Sequence, residues 1–218
     1  MRVNGGLIVT AQQSLNVQHH FGDLPSSVKF EGSVAIDTEA MGLNPHRDRL
    51  CAVQLSQGDG ICHVVQFSHE KNYHAPNLVQ LLLNPSILKI FHFARFDVAL
   101  LSHTFKIEIN PVYCTKIASK IARTFTDRHG LRDLCRELLN VDISKEAQTS
   151  DWGAPTFTAE QLRYAATDVL YLHKLKDILE AMLIREEKEK LAQTCFNFIP
   201  TCSQLDLLGY QNLNVFDH

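Results

Sequence analysis

Apolar positions along the chain change period several times, and each change predicts an element. Residues 1–16 carry weak patterning and are expected as a loose N-terminal arm. In "VQHHFGDLP" a short strand is expected to turn at Gly22-Asp23. The run Val34-Ala35-Ile36 predicts a buried strand over 34–37. "LCAVQLSQGDGICHVVQF" reads as two strands joined by a tight turn at Gly58-Asp59-Gly60, because apolar and β-branched residues flank an Asp-Gly pair. A helical patch over 78–83 stops near Asn84-Pro85, and a second buried strand is expected over 88–93. "ARFDVALLSHTF" then switches to helical period, with Phe96, Ala99, Leu100 and His103 on one side. "CTKIASKIARTF", "LRDLCRELLN" and one long amphipathic stretch beginning "TAEQLRYAATDVLYLHKL" are expected as helices. Strands first, then helices with one more strand between them, predict an α/β fold with a mixed sheet.

The 218 residues suit one ample domain, or a domain plus an arm. No apolar run approaches membrane-spanning length, and the first residues make a poor signal peptide. Six cysteines show no CxxC pair, so reduced thiols in a cytoplasmic protein are expected. The formal net charge of -3 argues against coating long nucleic acid by charge alone. A small site at which metal ions supply positive charge is still compatible with it.

Four acids stand where the apolar pattern predicts burial. Asp37 and Glu39 follow the first strand at i and i+2, so both carboxylates project to one face while Thr38 faces the other. Two oxygen ligands so placed can hold a hard cation; a solvated strand end followed by a turn at Gly42 is the competing account. Asp97 lies about one turn into its helix amid Phe93, Phe96, Val98 and Leu100. The helix dipole alone would favour an acid there, but not in such apolar company. Tyr164 and Asp168 share a face of a mostly apolar helix and would serve equally as one satisfied hydrogen-bond pair.

Together these acids suggest one site. "AIDTE", "HFARFDVALL" and "YAATDVLYLHKL" resemble the three exonuclease motifs of the DEDD superfamily in its Tyr-containing branch, over roughly residues 17–184. "CRELLNVDISKEAQTSDW" resembles the ribonuclease D segment before the third motif, and the whole chain is similar to the short ribonuclease D-like enzymes called nanoRNase C. The resemblance implies a ribonuclease H-like fold and a domain over 17–190, followed by a C-terminal arm over 191–218. It implies two divalent metals, Mg²⁺ or Mn²⁺, on Asp37, Glu39, Asp97 and Asp168, about 4 Å apart across an in-line displacement. Tyr164 would orient the attacking water.

By the same resemblance, the loop after the first acid pair approaches a terminal nucleotide. Met41 and Leu43 are candidates to pack on a base, with Gly42 allowing close backbone approach. His92 and Phe96 are candidates for ribose or base contacts. A turn with one apolar plug, or a core His and Phe, would serve the same pattern. Lys116, Lys120 and Arg123 form a basic helical stripe, by default solvated. Arg128 and His129 in the next turn could hold a phosphate. Lys145, Gln148, Ser150, Asp151 and Trp152 form a polar stretch without assignable roles.

The tail from Leu191 holds many apolar residues that must be covered by its own domain or by a neighbour. The resemblance implies a ring-like homo-octamer. The expected activity is a metal-dependent 3′-to-5′ exoribonuclease releasing nucleoside 5′-monophosphates from very short RNA, ending at dinucleotides. A general RNA or DNA 3′ exonuclease is the second expectation. An inactive exonuclease fold used as a binding scaffold is the third.

Overall fold

The computed structural model describes residues 15–68, 73–143 and 150–211, together with 215 and 217. Its centre is a six-stranded mixed sheet in the order β1-β4-β3-β2-β5-β6. The strands are β1 Asn16–Phe21, β2 Ser33–Ala40, β3 Leu50–Ser56, β4 Ile61–Gln66, β5 Leu88–Phe91 and β6 Val112–Cys114. β2, β3 and β4 pair antiparallel, whereas β1 runs parallel to β4, and β5 and β6 run parallel to β2. β3 is buried throughout, as its continuous apolar run requires of a central strand. The β3–β4 turn closes as expected: Gly58 and Gly60 sit at φ of 84° and 88°, and the Asp59 carboxylate accepts from the Ile61 N–H.

Seven helices are formed among the described residues: α1 Pro76–Leu83, α2 Ala94–Phe105, α3 Thr115–Ala122, α4 Leu131–Leu139, α5 Ala159–Leu170, α6 Leu172–Arg185 and α7 Glu189–Leu207. α5 lies across β1 to β4. It starts at a capping box, in which the Thr158 hydroxyl accepts from the Gln161 N–H and the Gln161 side chain accepts from the Thr158 N–H.

Several expectations are corrected. Residues 1–14 of the expected arm lie outside the described residues, and β1 already pairs with β4 from Asn16. The strand expected over 34–37 extends to Ala40, so both acids are inside β2 rather than beyond its end. The strand expected to reach Phe93 stops at Phe91, and His92 and Phe93 form the turn into α2. β6 ends at Cys114, the residue expected to open a helix, because a strand of three residues carries no periodic signal.

The long final helix is three helices. It breaks at Tyr171, where the backbone N–H bonds the Val169 carbonyl, and again where Glu187 adopts φ 56°. The buried positions 165, 169, 172, 175, 179 and 183 continue at steps of three and four through the first break, so periodicity cannot reveal it. The segment from Leu191, expected as an arm of little regular pattern, is helical to Leu207. It packs Ala192, Phe196, Ile199, Pro200 and Ser203 into its own domain, largely against α2. Pro200 inside this helix is what disguised it.

Candidate active site

A cavity of about 480 Å³ opens where β2 and the β5–α2 turn meet α4 and α5. Asp37 and Glu39 reach it from one face of β2. Asp168 reaches it from α5, and the three offer carboxylate oxygens within 4.8 Å of one another. Asp97 comes from the first turn of α2 and is buried behind the cavity wall rather than lining it. Thr38 points away from Asp37 and Glu39, as alternation predicts, and its hydroxyl donates to Asp97 Oδ1 at 2.6 Å. Asp97 therefore stands beside the three-acid group, tethered from the other face of the strand.

The electrostatics follow from four acids placed together out of water. Burial pushes Asp37 up to about 7. Burial, followed by the charges of Asp37, Asp168 and Asp97, pushes Glu39 up to about 10. Asp97 and Asp168 are also held well above the usual carboxylate range, first by burial and then by the charge of Asp37. Among the described residues no cation offsets these carboxylates enough to let all four ionise. Hard oxygen donors without a counter-charge fit a divalent cation such as Mg²⁺ or Mn²⁺. The pattern of two acids on one strand face is explained by that fit.

Tyr164 lies one turn before Asp168 on α5, and both side chains line the cavity. Burial and the neighbouring acids raise the phenol still further above its ordinary value, so it stays protonated. A protonated phenol can position a water but cannot take its proton. The Trp152 ring stands 6.1 Å from the Tyr164 ring and forms part of the wall.

Of the candidate substrate residues, Gly42, Leu43, His92 and Phe96 line the cavity. Leu43 is 82% exposed at its rim. Met41 is outside the lining and turns its sulfur to the space left by the missing Cβ of Gly153. Gly42 has no side chain for a different reason than expected, since a Cβ there would collide with the Asp48 carboxylate. That carboxylate accepts from the Asn44 N–H and from Arg47, folding the loop around itself. Burial and the nearby Lys116 charge push His92 down to about 3, so the ring is neutral. Its Nδ1 is 2.9 Å from the Thr115 hydroxyl.

The basic stripe divides. Lys116 lines the cavity with its ammonium 4.5 Å from the centre of the Phe93 ring. Arg123 is buried and pairs with Glu137, so it is not on a solvated face. Arg128 also reaches Glu137, at 3.5 Å, and His129 Nδ1 lies 2.8 Å from the Ser119 hydroxyl. Lys145 and Gln148 lie outside the described residues. The sequence reading missed Phe93, Leu131, Arg132 and Ile143 as wall residues. Nothing in the local pattern at these positions separates a cavity wall from a core or a solvated surface.

A 3′–5′ exonuclease family model matches residues 14–184, a span that contains all four acids and Tyr164. The chain belongs to the 3′–5′ exonuclease family. Ribonuclease D of Acidiphilium cryptum strain JF-5 is 33% identical over 156 residues, 72% of this exonuclease chain and 39% of that protein. The chain thus spans only that fraction of the length of the ribonuclease D relative. The structure of Brucella melitensis NrnC is 54% identical with a TM-score of 0.90, covering 94% of this chain and 100% of that one. The same protein bound to pGG matches with a TM-score of 0.91 at 54% identity, covering the same shares of both chains. Its Mg²⁺-bound form matches with a TM-score of 0.89 at 53% identity, covering 93% of this chain and 99% of that one. The mixed sheet with flanking helices is the fold of these exonuclease domains.

Proposed function

We propose that this exonuclease-family chain is a metal-dependent 3′-to-5′ exoribonuclease that releases nucleoside 5′-monophosphates from very short RNA, with diribonucleotides as its preferred substrate. The observation that carries the reading is the group of Asp37, Glu39 and Asp168 oxygens within 4.8 Å, with Asp97 and Tyr164 beside it. A scaffold without activity would have no need to keep four mutually repelling carboxylates close together out of water. A cavity near 480 Å³ falls within the range of about 300–1,000 Å³ usual for small-ligand sites, which favours a short substrate. The similar Brucella melitensis NrnC solved with pGG points the same way. Similarity to ribonuclease D favours a general RNA or DNA 3′ exonuclease as the second reading.

Asp37, Glu39, Asp97 and Asp168 would hold two divalent ions, Mg²⁺ or Mn²⁺, which when bound supply Lewis-acid stabilisation of the charge developing on phosphate oxygens. The Tyr164 oxygen would accept a hydrogen bond from the attacking water and fix its direction, one turn from Asp168 on α5. Water oxygen bonds to phosphorus, the bond from phosphorus to the 3′ oxygen of the preceding nucleotide breaks, and that oxygen takes a proton. The product is a nucleoside 5′-monophosphate. Phe93, Phe96 and Leu43 offer apolar surface to bases, and Lys116 offers charge to phosphate.

All six cysteines are unpaired and four are buried, which supports a reducing compartment such as the cytoplasm. Among the described residues no helix is long and apolar enough to cross a membrane. Assembly into a homo-octamer belongs to the same reading, supported by the exposed Leu208, Tyr210 and Val215 beyond α7. The test is to incubate the purified chain with a 5′-phosphorylated diribonucleotide and Mg²⁺ or Mn²⁺, and to separate the products. Mononucleotide that disappears on chelation is expected. Intact dinucleotide under all conditions would overturn the proposal.

A further inference from the structure

Gln54 is fully buried in β3, and neither its amide nitrogen nor its amide oxygen has a hydrogen-bond partner. No other buried amide side chain among the described residues is left wholly unpaired. Gln66, two residue pairs away in the same sheet, shows the usual solution: its amide donates to the Ala154 carbonyl, and its oxygen is 2.9 Å from His19 Nε2. A buried amide without partners destabilises the fold, and an apolar side chain of the same shape would remove that penalty.

The strand register shows what Gln54 is placed against. It is directly opposite Asp37 across the β2–β3 pair. Opposed residues share a face and hold their Cβ atoms about 4.5–5.5 Å apart, within reach of a side chain with one further methylene before its amide. Its partner on the other side is Val64, which offers no polar atom. The face is the one covered by α5, since Asp168 on that helix meets Asp37 and Glu39 there. The Asp37 carboxylate is thus the polar group to which Gln54 is registered.

Resting on the metal-dependent reading above, we infer that Gln54 is a positioning residue for Asp37. Its amide N–H engages the Asp37 carboxylate once a cation is held there. The bond fixes which oxygen faces the ion and leaves the amide idle in the metal-free protein. Such a partner behind a ligating carboxylate typically contributes 10–100-fold in metal affinity. The inference therefore gives opposite signs for two quantities. Replacing the amide with an apolar side chain of similar length stabilises the metal-free fold and weakens the site.

The experiment uses the full chain with Gln54→Met, and with Gln54→Leu as a second variant of different shape. Thermal unfolding is followed without metal, and Mn²⁺ binding is followed by calorimetry without substrate. The expected result is a metal-free melting temperature at or above that of the unaltered chain, with Mn²⁺ bound 10–100-fold more weakly. Mn²⁺ affinity unchanged in both variants would overturn the inference alone, as would failure of both to fold. No Mn²⁺ binding by the unaltered chain would overturn the metal reading and this inference with it.

Discussion

Removing one carboxylate from the cavity moves activity and metal-free stability in opposite directions. Asp37→Asn and Asp168→Asn are expected to abolish hydrolysis, because each deletes a charge that the cation needs. The metal-free fold should gain from the same change. Asp37 and Glu39 bind protons more tightly when folded than their ordinary values of 3.8 and 4.5 imply. The folded state then holds more protons than the unfolded one, and stability falls as pH rises. For Asp37 that loss spans roughly pH 4 to pH 7, and for Glu39 it continues to about pH 10. The melting-temperature gain of Asp37→Asn over the unaltered chain, measured in chelator, should be larger at about pH 8 than at about pH 5. A gain independent of pH would contradict the origin assigned to these shifts. Tyr164→Phe should keep Mn²⁺ binding and slow single-turnover hydrolysis by roughly 10²–10⁴-fold, the usual contribution of a positioned catalytic group. An unchanged rate would make Tyr164 a packing residue. The acids were legible in the sequence because charge inside an apolar run has few explanations. Gln54 was not, because one neutral amide in a strand looks like any polar residue until its missing partners are seen.

At the scale of elements, α5 matters most, since it carries both Tyr164 and Asp168 and is set at one end by the Thr158 capping box. Thr158→Ala should destabilise the protein by about 0.5–2 kcal/mol in denaturant titration. Activity per folded molecule should change little, because the cap fixes stability rather than the spacing of groups about two to three turns later. A full loss of activity in a folded Thr158→Ala protein would mean that the cap also sets the register of α5. Strands β2 to β4 and the start of α2 were legible from period and turn chemistry. The break at Tyr171 was hidden by a buried stripe that continues through it. β6 was too short to have a period, and Pro200 masked a real helical stripe in α7.

For the whole molecule, α7 changes what the C-terminal region is expected to do. The Ser203 hydroxyl donates to the Arg95 carbonyl at 3.0 Å, and Arg95 forms a two-bond pair with Asp206 at 2.5–2.6 Å. His46 Nε2 lies 2.8 Å from the Leu207 carbonyl. The end of α7 therefore grips both the loop after the first acids and the helix that carries Asp97. Deletion from about Thr201, expected from sequence to reduce assembly more than it affects the metal site, should also cost activity. Deletion from Gly209 onward removes only residues beyond the helix. It should leave the fold intact and lower the assembled mass in light scattering, and an unchanged mass would place the assembly contacts elsewhere. The α/β class and the exonuclease motifs were readable along the chain, whereas the packing of the tail depends on surfaces distant in sequence. A competition reaction distinguishes a metal-dependent exoribonuclease for very short RNA from a general 3′ exonuclease. Equal concentrations of RNA from two nucleotides upward, with duplex DNA, are given to the enzyme in one reaction with Mg²⁺ or Mn²⁺. The diribonucleotide should be consumed first, to mononucleotides, and chelator should stop the reaction; preferential shortening of long RNA or of DNA would refute a preference for very short RNA.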